Sequence, residues 1–204
     1  MSIEGIFPIQ LGMVKATLLK CNGRLVLVDT GMGAEDAEKI LNFARTDQNM
    51  PLEKYGELCI ITHNHRDHTG GLKTIKERCN LKVVSHIDEA DSIESLTGVK
   101  VDLKLKDRDV LPYCGGIQFI HVPGHTAGNI SLLIKEKSLL IAGDTIFADK
   151  EGNLSHPPDH YCTDPEMAKR ELKRLKELHF DSIIVSHGKD TLKGAKNKVD
   201  NLLK

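Results

Sequence analysis

The residues best suited to chemistry lie in one short stretch, residues 62–71, with the sequence THNHRDHTGG. It contains four potential metal ligands: His63, His65, Asp67 and His68. Side chains two positions apart on an extended segment share one face, and a turn into a following helix can aim the other two at a neighbouring point. Six consecutive residues therefore provide four converging ligands, which is enough to supply part of the coordination of two adjacent metal ions.

Three later segments share one design, an apolar strand that ends in a potential ligand. They provide His125, Asp144 and His187. Together with the first stretch they make a set of five imidazoles and two carboxylates. This donor set suits zinc or iron and is poorly suited to calcium or magnesium. The residues alone therefore predict a transition-metal site.

The elements that must position these ligands are short apolar runs rich in β-branched residues, alternating with amphipathic stretches. Seven runs predict strands, at 25–28, 59–62, 82–84, 117–120, 131–134, 139–142 and 182–185. Two segments predict helices: one has its apolar face from Ala37 to Ala44, and the other has Asp164 as N-cap and Pro165 at its first position. This order indicates sheets covered by helices rather than a helical bundle.

Length and composition limit the class of protein. With 204 residues the chain is predicted to be a single domain over 1–204, and 28 Lys plus Arg against 29 Asp plus Glu argue against a broad basic face for nucleic acid or anionic lipid. No run of about 18 apolar residues and no signal peptide is apparent. Five cysteines without a CxxC pair fit reduced thiols. We expect a cytoplasmic protein with a small-molecule substrate and no nucleic-acid or membrane partner, and the oligomeric state stays open.

The chain resembles the metallo-β-lactamase-fold hydrolases. The matching segments occur in the family's order, at 28–31, 63–71, 123–128, 143–145 and 186–188. The resemblance implies a mixed α/β (α+β) fold, a four-layer αββα sandwich with the site at the strand ends between two sheets. It also implies two divalent metal ions, with Zn²⁺ expected and Fe or Mn as alternatives. In that scheme one ion is held by His63, His65 and His125, the second by Asp67, His68 and His187, and Asp144 bridges both.

The chemistry of such a centre is consistent with hydrolysis. Two divalent ions bring four positive charges, of which Asp67, Asp144 and a bridging hydroxide remove three. The remaining positive charge can hold a hydroxide near neutral pH, because metal coordination lowers the pKa of water to about 7. We expect this hydroxide to attack a carbonyl or phosphorus, with Asp67 as the catalytic residue that orients it. By resemblance, Asp29 supports the metal loops through hydrogen bonds.

Within the resemblance, the residues favour one branch. An aspartate at 144, where exported β-lactamases of the family usually have Cys or Ser, argues against that activity. The run GDTIF at 143–147 is similar to the GDTLF of the glyoxalase II-like group. We expect a protein without that group's helical C-terminal domain, and residues 150–153 replace its Gly-x-Gly-Arg segment. Lactonases of the fold commonly have a tyrosine where Phe147 stands. We therefore predict a hydrolase of a small ester or thioester and favour thioesters over lactones.

Other interpretations stay open at this point. A mononuclear iron sulfur dioxygenase of the same fold would use only His63, His125 and Asp144. A lactonase, a phosphodiesterase and a non-catalytic metal-binding domain are further alternatives.

Five other histidines match no ligand motif. His86 and His121 are expected to have structural or rim roles, and His179 to lie on the surface. His156 and His160 fall in the loop 149–160, which is a candidate substrate lid, with a solvated connection as the simpler interpretation.

Overall fold

The computed structural model describes residues 2–204 and divides them into two compact units. The N-terminal unit is Glu4–Leu105, and the C-terminal unit is Lys106–Lys204 together with Ser2 and Ile3. The strands of the N-terminal unit are β1 (Ile6–Leu11), β2 (Val14–Cys21), β3 (Arg24–Val28), β4 (Gly56–Ile60), β5 (Lys82–His86) and β6 (Leu103–Leu105). Its helices are α1 (Ala34–Thr46), α2 (Leu52–Tyr55), α3 (Arg66–Thr69), α4 (Leu72–Arg78) and α5 (Ile87–Thr97).

The N-terminal sheet has the strand order β1-β2-β3-β4-β5-β6. The pairs β1–β2 and β2–β3 are antiparallel, and the three later pairs are parallel. Neighbouring residues such as Val26 and Leu27 point to opposite faces and are both buried, which explains why β3, β4 and β5 contain continuous apolar runs. Because parallel strands end at the same edge, the segments that follow these three strands are brought together there.

One face of this sheet is covered by helices. Leu25 and Leu27 from β3 belong to the same core cluster as Ile40 and Leu41 from α1 and Ile75 from α4. Burial of each such side chain stabilises the folded state by about 1.5–3 kcal/mol. This free energy offsets the conformational entropy lost when the segments after the strands are ordered. The helical face predicted from Ala37 to Ala44 is thus the face that holds α1 on the sheet.

The C-terminal unit is a second sheet with its own helices. Its strands are β7 (Val110–Leu111), β8 (Ile117–His121), β9 (Ile130–Ile134), β10 (Leu139–Ile141), β11 (Phe147–Ala148), β12 (Leu154–Ser155) and β13 (Ser182–Ile184), and its helices are α6 (Pro165–Glu171) and α7 (Ala195–Leu202). The order is β13-β10-β9-β8-β7, parallel only between β10 and β13, and β11–β12 form a separate antiparallel pair.

The second predicted helix begins as expected. The Asp164 carboxylate accepts a hydrogen bond of 2.8 Å from the Met167 backbone N–H, with Pro165 in the first turn. A 3₁₀ segment, Leu172–Glu177, continues α6 and contributes Leu172 to the core with Leu140 and Ile183. A side-chain cap of this kind stabilises a helix by about 1 kcal/mol, which helps to fix the segment that precedes α6.

The predicted strands are confirmed, with ends displaced by up to three residues, and both predicted helices form. The expectation of five reduced cysteines is wrong for two of them: Cys59, Cys79 and Cys162 are free thiols, whereas Cys21 and Cys114 are disulfide-bonded. No helix in residues 2–204 combines the length and apolar character needed to cross a membrane. The prediction of one domain over residues 1–204 stays a prediction.

Candidate metal centre

The N-terminal unit positions four of the predicted ligands just after β4. His63 is fully buried, and half-buried His65 occupies the N-cap of α3, which contains Asp67 and buried His68. The ring centroid of His63 lies 4.7 Å from that of His65 and 4.0 Å from that of His68. Asp67 Oδ2 is 3.6 Å from His68 Nε2. The motif spacing therefore brings the three imidazoles and the carboxylate together, and their role as metal ligands stays a prediction.

Asp29 orients the histidines of this group. Its buried carboxylate accepts hydrogen bonds of 2.8 Å from His68 Nδ1, from the Thr62 hydroxyl and from the Thr62 backbone N–H. Thr62 Oγ1 in turn lies 3.1 Å from His63 Nδ1 and can accept its proton. In this arrangement the ring protons of His63 and His68 are on Nδ1, which leaves both Nε2 atoms in the form that binds metals. The supporting role expected of Asp29 matches this geometry.

The turn after β3 and the segment before α4 contain residues that tolerate unusual backbone conformations or close packing. Asp29 has φ +62°, in the left-handed region that aspartate tolerates better than most residues. A Cβ on Gly70 would overlap the carbonyl of Met32, and one on Gly71 would overlap the carbonyl of Thr30. The two glycines therefore allow the start of α4 to pack against the turn after β3, where Thr30 N–H donates a 2.8 Å hydrogen bond to the His68 carbonyl.

The C-terminal unit positions the other three predicted ligands, each after a strand. His125 follows β8, Asp144 lies in a 3₁₀ turn after β10, and His187 follows β13. Asp144 Oδ2 lies 3.4 Å from Nε2 of His125 and 3.4 Å from Nε2 of His187. Both imidazoles therefore lie close to the same carboxylate oxygen, and the three side chains form a candidate metal-binding group.

Two further residues support this second group. Phe147 stacks on the His187 imidazole, with ring centroids 4.7 Å apart and planes 10° from parallel. Cys162 Sγ lies 3.6 Å from His125 Nδ1 and 3.6 Å from the Pro158 carbonyl. Sequence reasoning missed Cys162, because 37 positions separate it from His125 and no motif connects them.

The environment of Cys162 keeps its thiol protonated. Burial is the largest cause of a raised pKa for Cys162, and the nearby carboxylates of Asp159 and Asp144 raise this pKa further. A protonated thiol can donate to the Pro158 carbonyl while its sulfur accepts from His125 Nδ1. His125 is then held with Nε2 directed away from the thiol, as a metal ligand requires.

The remaining histidines are placed outside these two groups. His86 Nδ1 accepts a hydrogen bond of 3.3 Å from Asp88 N–H at the start of α5, and His121 Nε2 lies 2.9 Å from the Ala127 carbonyl. His179 is exposed before β13, as expected. These contacts agree with the structural roles predicted for His86 and His121. His156 directly follows β12, and His160 lies in a 3₁₀ turn, Asp159–Tyr161. The lid interpretation of 149–160 stays a prediction.

The two groups fit divalent metal ions by the chemistry of their donors. Each group combines imidazole nitrogens with a carboxylate. Potential ligand atoms lie within 4.8 Å of each other in three pairs of residues: His63 and His65, Asp67 and His68, and His125 and Asp144. Nitrogen and oxygen donors without thiolate suit Zn, Fe or Mn.

The sequence of this chain is similar to sequences of known proteins. A family model described as the metallo-β-lactamase superfamily matches residues 9–187. A hydroxyacylglutathione hydrolase of Ectopseudomonas mendocina is 31% identical over 76% of this chain and 52% of its own length. A probable metallo-hydrolase of Bacillus subtilis is 24% identical over 80% of this chain and 75% of its own length. The chain thus spans about half the length of the first of these relatives.

Solved structures show the same fold. A metallo-β-lactamase family protein of Thermus thermophilus has a TM-score of 0.75 at 20% identity and covers 98% of this chain, with 78% of its own chain covered. A metallo-β-lactamase of Pontibacter korlensis has a TM-score of 0.76 at 19% identity, covering 97% of this chain and 92% of its own. With the family model matching most of the residues, these findings establish that the chain belongs to the metallo-β-lactamase superfamily.

Proposed function

We propose that this chain is a metal-dependent hydrolase in which the two ligand groups form one dinuclear centre. In this proposal His63, His65 and His125 would hold one ion, and Asp67, His68 and His187 would hold the second. Asp144 would serve as a ligand to both. The observation that carries the proposal is the position of Asp144 Oδ2, 3.4 Å from Nε2 of His125 and 3.4 Å from Nε2 of His187.

Bound divalent ions would lower the pKa of a water molecule and polarise the carbonyl oxygen of a substrate. The three carboxylates of the proposed site differ in solvent exposure, and we infer their roles from this difference. The side chain of Asp67 is 23% exposed, whereas those of Asp29 and Asp144 are 3% and 4% exposed. Asp67 is therefore the carboxylate that an attacking water can reach, and we assign it the catalytic role of accepting that water's hydrogen bond. Asp29 keeps the histidines in the metal-binding tautomer.

The proposed substrate is a small thioester. Relatives named hydroxyacylglutathione hydrolase match at about 30% identity, and an acyl group joined to the thiol of glutathione is a thioester. Phe147, stacked on His187, offers no hydroxyl to a leaving group. An alkoxide leaving group benefits from such a donor, whereas a thiolate with a pKa near 8.5 needs little help beyond a metal ion. A cytoplasmic location and a small-molecule substrate as partner belong to the same proposal.

The experiment compares a thioester with an acyl-homoserine-type lactone of equal acyl length. We expect the wild-type protein to hydrolyse the thioester with the higher kcat/KM, and Phe147→Tyr to narrow the difference by giving the lactone a donor. A wild-type preference for the lactone would overturn the assignment. Measurement of oxygen uptake and metal content in the same samples separates hydrolysis from the alternative of an iron-dependent sulfur dioxygenase.

A further inference from the structure

A cavity of about 480 Å³ opens beside His65, within the N-terminal unit. Its lining residues include His65 and Arg66 at the start of α3, Lys73 in the first turn of α4, and Leu96 near the end of α5. The cavity is therefore adjacent to a side chain that the proposed function assigns to a metal ion, but most of its wall comes from residues that bind no metal.

Two cations line this cavity without an acidic partner. Within residues 2–204, no carboxylate forms an ion pair or hydrogen bond with the side chain of Arg66 or Lys73. Two other cations of α4 are neutralised: Lys76 Nζ lies 3.0 Å from Asp102 Oδ2, and Arg78 Nη1 lies 2.6 Å from Glu38 Oε1. Uncompensated positive charge in a concave site attracts anions more strongly than the same charge on a flat surface. The cavity is thus suited to a negatively charged group.

The rest of the wall indicates what the anion is attached to. Leu96 is 66% exposed and gives the cavity wall an apolar side chain. The Thr69 hydroxyl donates to the His65 carbonyl at 3.0 Å, so this side chain closes the local turn rather than turning toward a ligand. An apolar surface beside two cations matches a short hydrocarbon segment that ends in an anion.

We propose that this cavity binds a carboxylate or phosphate group carried by the substrate. The inference rests on the proposed function and adds to it a substrate class: an anionic thioester whose charged end is bound by Arg66 and Lys73. The guanidinium of Arg66 can bind two oxygens of either anion side by side, and the ammonium of Lys73 supplies a second, mobile charge.

The test uses three thioesters of one thiol, with acyl chains of equal length that end in a methyl, a carboxylate or a phosphate group. The variants are Arg66→Gln and Lys73→Gln, which remove the positive charge and keep a polar side chain. Lys20→Gln is the matched control, because Lys20 is exposed in the same unit and does not line the cavity. The measured quantity is the ratio of kcat/KM for the charged substrate to kcat/KM for the neutral one, and metal content is determined for every sample.

We expect the ratio to fall about three- to tenfold in Arg66→Gln and in Lys73→Gln, mainly through KM, and to stay unchanged in Lys20→Gln. The charged substrate whose kcat/KM ratio falls more in the variants shows whether the cavity prefers a carboxylate or a phosphate group. Unchanged ratios for both anions in Lys73→Gln, with wild-type metal content, would overturn the inference. If Arg66→Gln lowers the metal content by disturbing the adjacent ligands, the result for Lys73→Gln decides the test.

Failure of the proposed function is distinguishable from failure of this inference. If the wild-type protein hydrolyses none of the thioesters, the proposed function is wrong. Binding of glutarate and of inorganic phosphate, measured by calorimetry, then tests the cavity directly. Weaker binding of either anion to both cavity variants than to Lys20→Gln would uphold the anion site, and equal binding by all three proteins would overturn it.

Discussion

The substitution Asp29→Asn isolates the task of the carboxylate that orients His63 and His68, two of the proposed metal ligands. Asparagine has the shape of aspartate and also tolerates the left-handed backbone at this position, so the turn after β3 is retained. With its oxygen on the Thr62 N–H, the new amide would direct its NH₂ group toward the Thr62 hydroxyl and His68 Nδ1. His68 would then have to accept at Nδ1, which moves its ring proton to Nε2, the atom proposed to bind metal.

The expected magnitudes follow from these contacts. Three hydrogen bonds to a buried carboxylate become bonds to a neutral amide, and two of them must reverse direction. Hydrogen bonds to charged groups contribute about 1.5–3 kcal/mol, against about 1 kcal/mol for neutral ones. We therefore expect the metal-free protein to lose about 1–3 kcal/mol of unfolding free energy. Loss of a residue that orients a ligand lowers metal affinity about 10- to 100-fold.

The assay measures zinc affinity by competition with a chromophoric chelator, and the stability of the metal-free protein by urea unfolding. Asp149→Asn is the matched control, because the exposed Asp149 also accepts three hydrogen bonds, from the backbones of Glu151 and Asn153 and from the Asn153 amide. The control should keep wild-type zinc affinity. A folded Asp29→Asn protein that binds zinc within about twofold of wild type would refute the reasoning about the ring protons.

Four further outcomes are expected. Asp144→Ala and His65→Ala should each lower turnover at least about a hundredfold with loss of bound metal, measured by steady-state kinetics and elemental analysis; retained turnover in either would refute the ligand assignment. Cys162→Ser should bind zinc more tightly than Cys162→Ala in chelator competition, since serine retains an acceptor for His125 Nδ1; equal affinities would remove the thiol from the support of His125. Burial raises the pKa of Cys79 to about 11, so its thiol should resist alkylation at about pH 8, as followed by mass spectrometry, and rapid labelling in the folded protein would contradict that burial. Phe147→Tyr should change the ratio of thioester to lactone hydrolysis, and an unchanged ratio would show that position 147 does not face the leaving group.

Much of the candidate site was predictable because its ligands obey a local rule. The stretch from His63 to His68 is contiguous, and His125, Asp144 and His187 each follow an apolar run that ends at a strand terminus. Strand-forming runs buried on both faces are among the clearest signals in a sequence, and so is a capped helix start such as Asp164 followed by proline.

Other elements were missed because their signals are weak or distant in the chain. β1 contains Pro8, which is tolerated on an edge strand but weakens the strand signal in the sequence. α5 begins with the His86 side chain as its cap, a residue type that sequence rules do not expect there. The contact between Cys162 and His125 depends on how the segment before α6 packs, which no local pattern encodes.

The cavity beside His65 was likewise not predictable from a local pattern in the sequence. Arg66 and Lys73 are seven positions apart, but Leu96 reaches the same cavity only through the packing of α5. A charge count gives 28 cations against 29 anions for the whole chain and says nothing of which cations lack a partner. That information exists only in the three-dimensional arrangement.

The proposed function requires a dinuclear centre, with two metal ions bound per chain. Its most direct test is a titration of the metal-free protein with Zn²⁺, in which bound metal per chain and thioester hydrolysis are measured on the same samples. We expect both quantities to rise to a plateau at two zinc ions per chain in the wild-type protein, and Asp144→Ala to reach neither plateau. A wild-type plateau at one ion per chain, unchanged by further metal, would contradict the bridging role of Asp144 and with it the proposed centre.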